Sequence, residues 1–128
     1  MKLLITGEDL YESVADEFYD ALELIEIPPD KVTMIYGSSK KSSFIAGTVD
    51  SLILVHKPKD LEKNEGYEKY PLRKISEVGI TKQTFTSTHF YFTIDGDPKT
   101  ISIMSVRKEA EKLCDFIFEA CKKKRKIT

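Results

Sequence analysis

The spacing of apolar residues changes period twice along this chain, and that change constrains the fold more than any single motif. Leu10, Val14, Phe18, Leu22 and Ile25 stand four, four, four and three residues apart. That is the apolar stripe of an amphipathic helix over residues 8–25. Thr6 is placed to cap it, and acids in its first turn suit the positive end of the helix dipole. Pro28 and Pro29 end it, because proline disfavours a helical residue before it and cannot continue the hydrogen-bond ladder. From residue 31 to 104 the pattern reads as strands, and after Ser105 the helical period returns. Val106, Ala110, Leu113, Ile117, Ala120 and Cys121 form the second stripe, with Phe116 and Phe118 at its flanks.

The middle stretch predicts about seven strands, at 31–36, 44–49, 51–56, 70–72, 75–83, 89–94 and 99–104. Leu52, Ile53, Leu54 and Val55 are consecutive, as in a strand covered on both faces. Tyr70-Pro71-Leu72 suits an edge, where proline costs no ladder bond. Residues 57–69 are the longest polar stretch and read as a solvated loop. Asp95-Gly96-Asp97-Pro98 is a hairpin turn signal. The expected class is α+β in one domain. An acidic amphipathic helix at 1–29 packs on a domain at 30–121, and a basic tail follows at 122–128.

Twenty basic and 21 acidic residues leave a net charge of −1, so bulk charge predicts no affinity for nucleic acid or membrane. The distribution is polar all the same. No basic residue lies between Lys2 and Lys31, whereas Lys122, Lys123, Lys124, Arg125 and Lys126 are consecutive. The two cysteines, Cys114 and Cys121, are seven residues apart on a helix, roughly 10 Å along its axis. They are too far apart to bridge to each other, which points to a reducing, cytoplasmic setting. The apolar run at the N-terminus is too short for a signal peptide, and no stretch approaches the length that spans a bilayer.

Several segments resemble the bacterial branch of the pleckstrin-homology-like (PH-like) superfamily. They are Gly47-Thr48-Val49-Asp50-Ser51-Leu52-Ile53-Leu54-Val55, then Tyr70-Pro71-Leu72-Arg73-Lys74-Ile75-Ser76-Glu77-Val78, and the closing helix at 109–120. The resemblance covers residues 31–121. It implies a barrel of about seven antiparallel strands in two nearly orthogonal sheets, closed by the C-terminal helix. The first helix is outside that pattern, and the segment before Leu52 lacks the arginine usual there. Members of the superfamily bind lipids, peptides, proteins or their own copies, so the resemblance implies a binding module and leaves the ligand open.

Two sets of residues are candidates for contact with a partner. Ser38, Ser39, Lys40 and Lys41 form a small polar loop, and Lys122, Lys123, Lys124, Arg125 and Lys126 a basic end. Either could meet acidic lipid or nucleic acid. Small polar clusters are more often plain loops, and a basic run at a helix end also suits the dipole there. Glu12, Asp16, Asp20 and Glu23 recur at helical spacing and offer an acidic face to a protein partner, if they are more than a solvated surface. Catalytic signatures are absent. No GxSxG, P-loop, CxxC or HExxH spacing occurs, and His56 and His89 have no ligand-forming neighbour in sequence. No cofactor or metal is expected. The leading expectation is a non-catalytic adaptor that binds a protein segment or its own copy. The alternative is an anionic ligand held by Lys40, Lys41 and the basic end.

Overall fold

The computed structural model describes residues 3–105 and 107–127. Among these residues, eight strands form two antiparallel sheets. The first sheet has β1 (Leu4–Thr6), β2 (Val32–Tyr36), β3 (Phe44–Thr48), β4 (Ser51–Val55) and β5 (Tyr67–Pro71) in sequence order. The second has β6 (Ile75–Gln83), β7 (Thr88–Ile94) and β8 (Asp97–Ile103). Helix α1 (Ser13–Glu23) lies between β1 and β2, and α2 (Arg107–Ile127) ends the described chain. The sheets are not closed onto one another, since no ladder joins β5 to β6 or β1 to β8.

The middle strands of the first sheet are buried on both faces, and their side chains alternate between two cores. Leu52 and Leu54 of β4 enter the core shared with the second sheet and α2, while Ile53 and Val55 enter the core under α1. This alternation explains the unbroken apolar run at 52–55: each neighbour needs an apolar environment, on opposite sides. On β2, Met34 and Tyr36 face the inter-sheet core and Ile35 faces α1. A register shift between Val32 and Met34 turns Val32 to the α1 side as well.

The second sheet buries one face. Thr88, Phe90, Phe92 and Ile94 point inward from β7, and Ile101 and Ile103 from β8. On α2, Ala110, Leu113, Ile117 and Cys121 are buried in the same core. Tyr36 and Phe90 meet edge to face, their ring centroids 5.7 Å apart. Val106, expected in the α2 stripe, lies outside the described residues.

Five local expectations change. Leu4–Thr6 is a strand paired with β2, an element the sequence reading did not include. Thr6 makes no side-chain cap bond. The expected single helix at 8–25 is a 3₁₀ segment at Gly7–Tyr11 followed by α1, and the interruption rotates Val14 to the surface while Ala15, Phe18, Ala21 and Leu22 are buried. The polar stretch at 57–69 is not uniformly a loop: Pro58–Lys63 is a 3₁₀ helix that plants Leu61 in the α1 core, and β5 begins at Tyr67. The basic run is not a separate tail, because α2 continues to Ile127.

Candidate functional site

The loop at 37–43 joins β2 to β3 and folds back on itself. Lys41 N–H donates to Ser39 Oγ at 3.1 Å, Ser42 Oγ donates to Ser39 O at 3.3 Å, and Ser43 Oγ donates to His56 O at 3.0 Å. The Lys40 amide donates to Glu17 Oε1 of α1 at 3.4 Å. A carboxylate therefore already occupies a donor that an anion would need. Lys40 and Lys41 line a cavity of about 410 Å³ together with Lys59, Pro58, Leu24, Ala21 and Asp20. Residues expected in separate sites, Asp20 and the two lysines, thus share one depression.

Glu12, Asp16, Asp20 and Glu23 are all exposed, with Glu12 at the N-cap of α1 and the others within it. Lys122 and Lys123 are exposed on α2, while the side chains of Lys124, Arg125 and Lys126 lie outside the described residues. Lys123 borders a groove with Thr33 and Thr48, the end of β2 and β3 opposite the 37–43 loop. The length of β3 alone separates the two basic regions by on the order of 13 Å. The structure does not bring them together.

Helix α2 instead divides two apolar depressions. On one side a groove of about 660 Å³ has a floor of Leu4, Val49, Leu72, Phe116 and Ala120 and a rim of Lys112, Asp115, Glu119 and Lys123. On the other side a crevice of about 190 Å³ lies between α2 and the start of β6, lined by Ile75, Val78, Phe118 and Cys121 with Ser76, Glu77 and Lys122. β6 is an edge strand nine residues long that pairs with β7 alone. Sequence reasoning found the strand but not its edge position, which is set by the break between the sheets.

One polar cluster was invisible in sequence. β4 and β5 pair so that Leu54 faces Glu68 and Val55 faces Tyr67. This brings His56 Nε2 to 2.9 Å from Glu68 Oε1, and Tyr70 OH donates to Glu68 Oε2. Burial, and then the bond to Glu68, push the Tyr70 hydroxyl up to about 12. His56 is one-third exposed and Glu68 somewhat more, so water screens the pair. Among the described residues, no three His, Cys, Asp or Glu side chains are grouped to hold a metal.

No disulfide joins Cys114 and Cys121. Burial, and then Asp115 and Glu111, push Cys114 up to about 11, which keeps it a neutral thiol at physiological pH. Among the described residues, no helix is long and apolar enough to cross a membrane. Compared with family models, curated proteins and solved structures, the chain matches none.

Proposed function

We propose that this chain is a non-catalytic adaptor of PH-like design that takes a protein segment, or a segment of its own copy, along the outer edge of β6 beyond Ile75. The observation that carries this reading is the juxtaposition of a nine-residue edge strand with an apolar crevice. An added strand would satisfy edge N–H and C=O groups that β7 does not reach. Its alternate side chains would enter the space between Ile75, Val78 and Phe118. Phe118 is 58% exposed, an unusual position for a large aromatic that serves packing alone. A C-terminal helix laid beside two antiparallel sheets supports the PH-like assignment. Two cysteines left unbridged accord with a reducing compartment.

Selection of random peptides on the immobilised protein tests the proposal. Selected peptides should bind with little dependence on salt, and Phe118→Ser should weaken them about tenfold or more. Failure to select any peptide, or binding unaffected by Phe118→Ser, would overturn it. The second reading, an acidic lipid or nucleic acid held by Lys40 and Lys41, is favoured by the convergence of those residues with Lys59 on one cavity. It requires binding to anionic vesicles or oligonucleotides that collapses with salt and with the pair Lys40→Ala and Lys41→Ala.

A further inference from the structure

The ladder between β6 and β7 is regular only in its middle. Ile75 pairs with Ile94 and Glu77 with Thr93, so Ser76 is an extra residue in β6. Ile80 pairs with Phe90 and Lys82 with His89, so Thr81 is a second one. Bulges of this kind bend and twist a strand and interrupt the alignment that a further strand needs. They leave residues 77–80 as the part of the outer edge fit for pairing. A window that short suits an extended peptide rather than the long edge of another sheet, and the bulges on either side fix its register.

The two faces of the window differ. Val78 pairs with the buried Phe92 and turns inward, to the crevice beside Phe118. Gly79 pairs with Tyr91 and turns outward, and its lack of a side chain lets the Tyr91 ring lie across the strand. A Cβ at Gly79 would stand 2.6 Å from Tyr91 Cε1 and 2.8 Å from its hydroxyl oxygen. The phenol of an inner strand is thereby carried over β6 toward the outer edge. It makes no hydrogen bond among the described residues.

Lys82 is exposed and stands on the same outward face, opposite His89. No Asp or Glu occurs from Val78 to Ile94, and Lys82 makes no ion pair among the described residues. At the other end of the window Glu77 and Lys122 both border the crevice, so their charges offset one another. Among the described residues, Lys82 is therefore the uncompensated charge along this edge.

We infer that the segment captured at β6 carries an apolar residue for the crevice and, on its opposite face toward Lys82, a carboxylate that accepts the Tyr91 O–H and pairs with Lys82. This rests on the reading of β6 as the docking edge and adds the chemistry of the partner. Successive side chains of a strand alternate faces, so the acid lies one or three positions from the apolar anchor. An ionised carboxylate is an acceptor only, and its bond to a phenol is about twice as strong as a neutral one. A basic residue in its place would face Lys82 across the ladder, which is destabilising. The crevice supplies affinity and the outer face selects the partner.

Random peptides selected on the immobilised protein test the inference. They should carry Asp or Glu one or three positions to one side of an apolar anchor. One such peptide is then remade with the amide, and with lysine, in place of its acid. The amide version should bind about fivefold more weakly and the lysine version about thirtyfold. Lys82→Glu should reverse the order and prefer the lysine peptide. Tyr91→Phe should cost the acidic peptide about threefold and leave the amide peptide unchanged. Lys82 is exposed and phenylalanine keeps the ring over Gly79, so both variants should fold, which urea unfolding checks. Selected peptides with an anchor but no acidic preference would overturn the inference. So would a preference that survives Lys82→Glu. In either case continued weakening by Phe118→Ser would leave β6 standing as the docking edge. Failure to select any peptide would overturn both. Acidic peptides lost instead in the pair Lys40→Ala and Lys41→Ala would belong to the 37–43 loop and equally overturn the inference.

Discussion

Replacing Phe18 by alanine measures how far α1 is part of the domain rather than an attachment to it. Phe18 is fully buried, and its ring meets Phe44 of β3 edge to face with centroids 5.1 Å apart. That core also draws on β1, β2, β3 and β4, and on Leu10 and Leu61 of the two 3₁₀ segments. Truncating a buried Phe costs about 3–5 kcal/mol in lost transfer energy and residual cavity, and the rigid sheet beneath leaves little room for collapse. Of a total stability of about 5–15 kcal/mol that is a large share. With a urea slope of about 1.5 kcal/mol per molar, the midpoint should fall by about 2–3 M. Phe18→Leu keeps most of the volume and loses the edge-to-face contact, so it should cost about 1–1.5 kcal/mol. Urea unfolding followed by far-UV circular dichroism, at low protein concentration, reads both values. A midpoint change below about 0.5 M for Phe18→Ala would refute the reasoning, because it would mean that α1 can leave without disturbing the sheet. Dissociation of an oligomer with the fold intact would refute it equally, by showing that the helix packs on a neighbour.

Two further predictions concern stability. Burial raises Cys114 to about 11 and Tyr36 to about 12, from ordinary values of 9.0 and 10.0, so the unfolded chain releases these protons first. Their contribution is therefore complete below pH 9 and is lost as pH rises through about 9 to 12. Melting curves should show that decline, and Cys114→Ala should flatten its first part; a flat profile to pH 11 in the wild type would contradict it. Among the glycines, Gly66 and Gly96 both have positive φ, 81° and 87°, but a Cβ at Gly66 would collide with the Lys57 carbonyl oxygen while one at Gly96 meets open space. Gly96→Ala should cost about 1 kcal/mol of backbone strain and Gly66→Ala about 3 kcal/mol or more, and equal losses in urea would show that the loop around Lys57 yields freely.

The sequence by itself determined the elements that carry their own period or punctuation. The stripe at Ala110, Leu113, Ile117 and Cys121 defines which face of α2 is buried, because helical geometry places those residues on one side. The run at 52–55 signalled a strand covered twice, because only apolar surroundings on both faces accommodate four such neighbours. The hairpin signal at 95–98 holds, tightened to a two-residue turn of Asp95 and Gly96, both with positive φ, because Asp97 and Pro98 already belong to β8. What lacked local signature was decided by pairing and packing. Leu4–Thr6 is too short to show alternation and is a strand because its backbone bonds to β2. Leu61 sits in a polar stretch, and its burial depends on a core formed by residues far away in the chain. His56 and Glu68 meet because the register of β4 and β5 sets Glu68 opposite Leu54, diagonally across from His56, a relation that no spacing of 12 residues encodes. The same holds for the exposed features of the surface. The outer edge of β6, the groove beside Phe116 and the exposed ring of Phe85 exist because two sheets and a helix meet at particular edges, and edges are properties of the assembled fold.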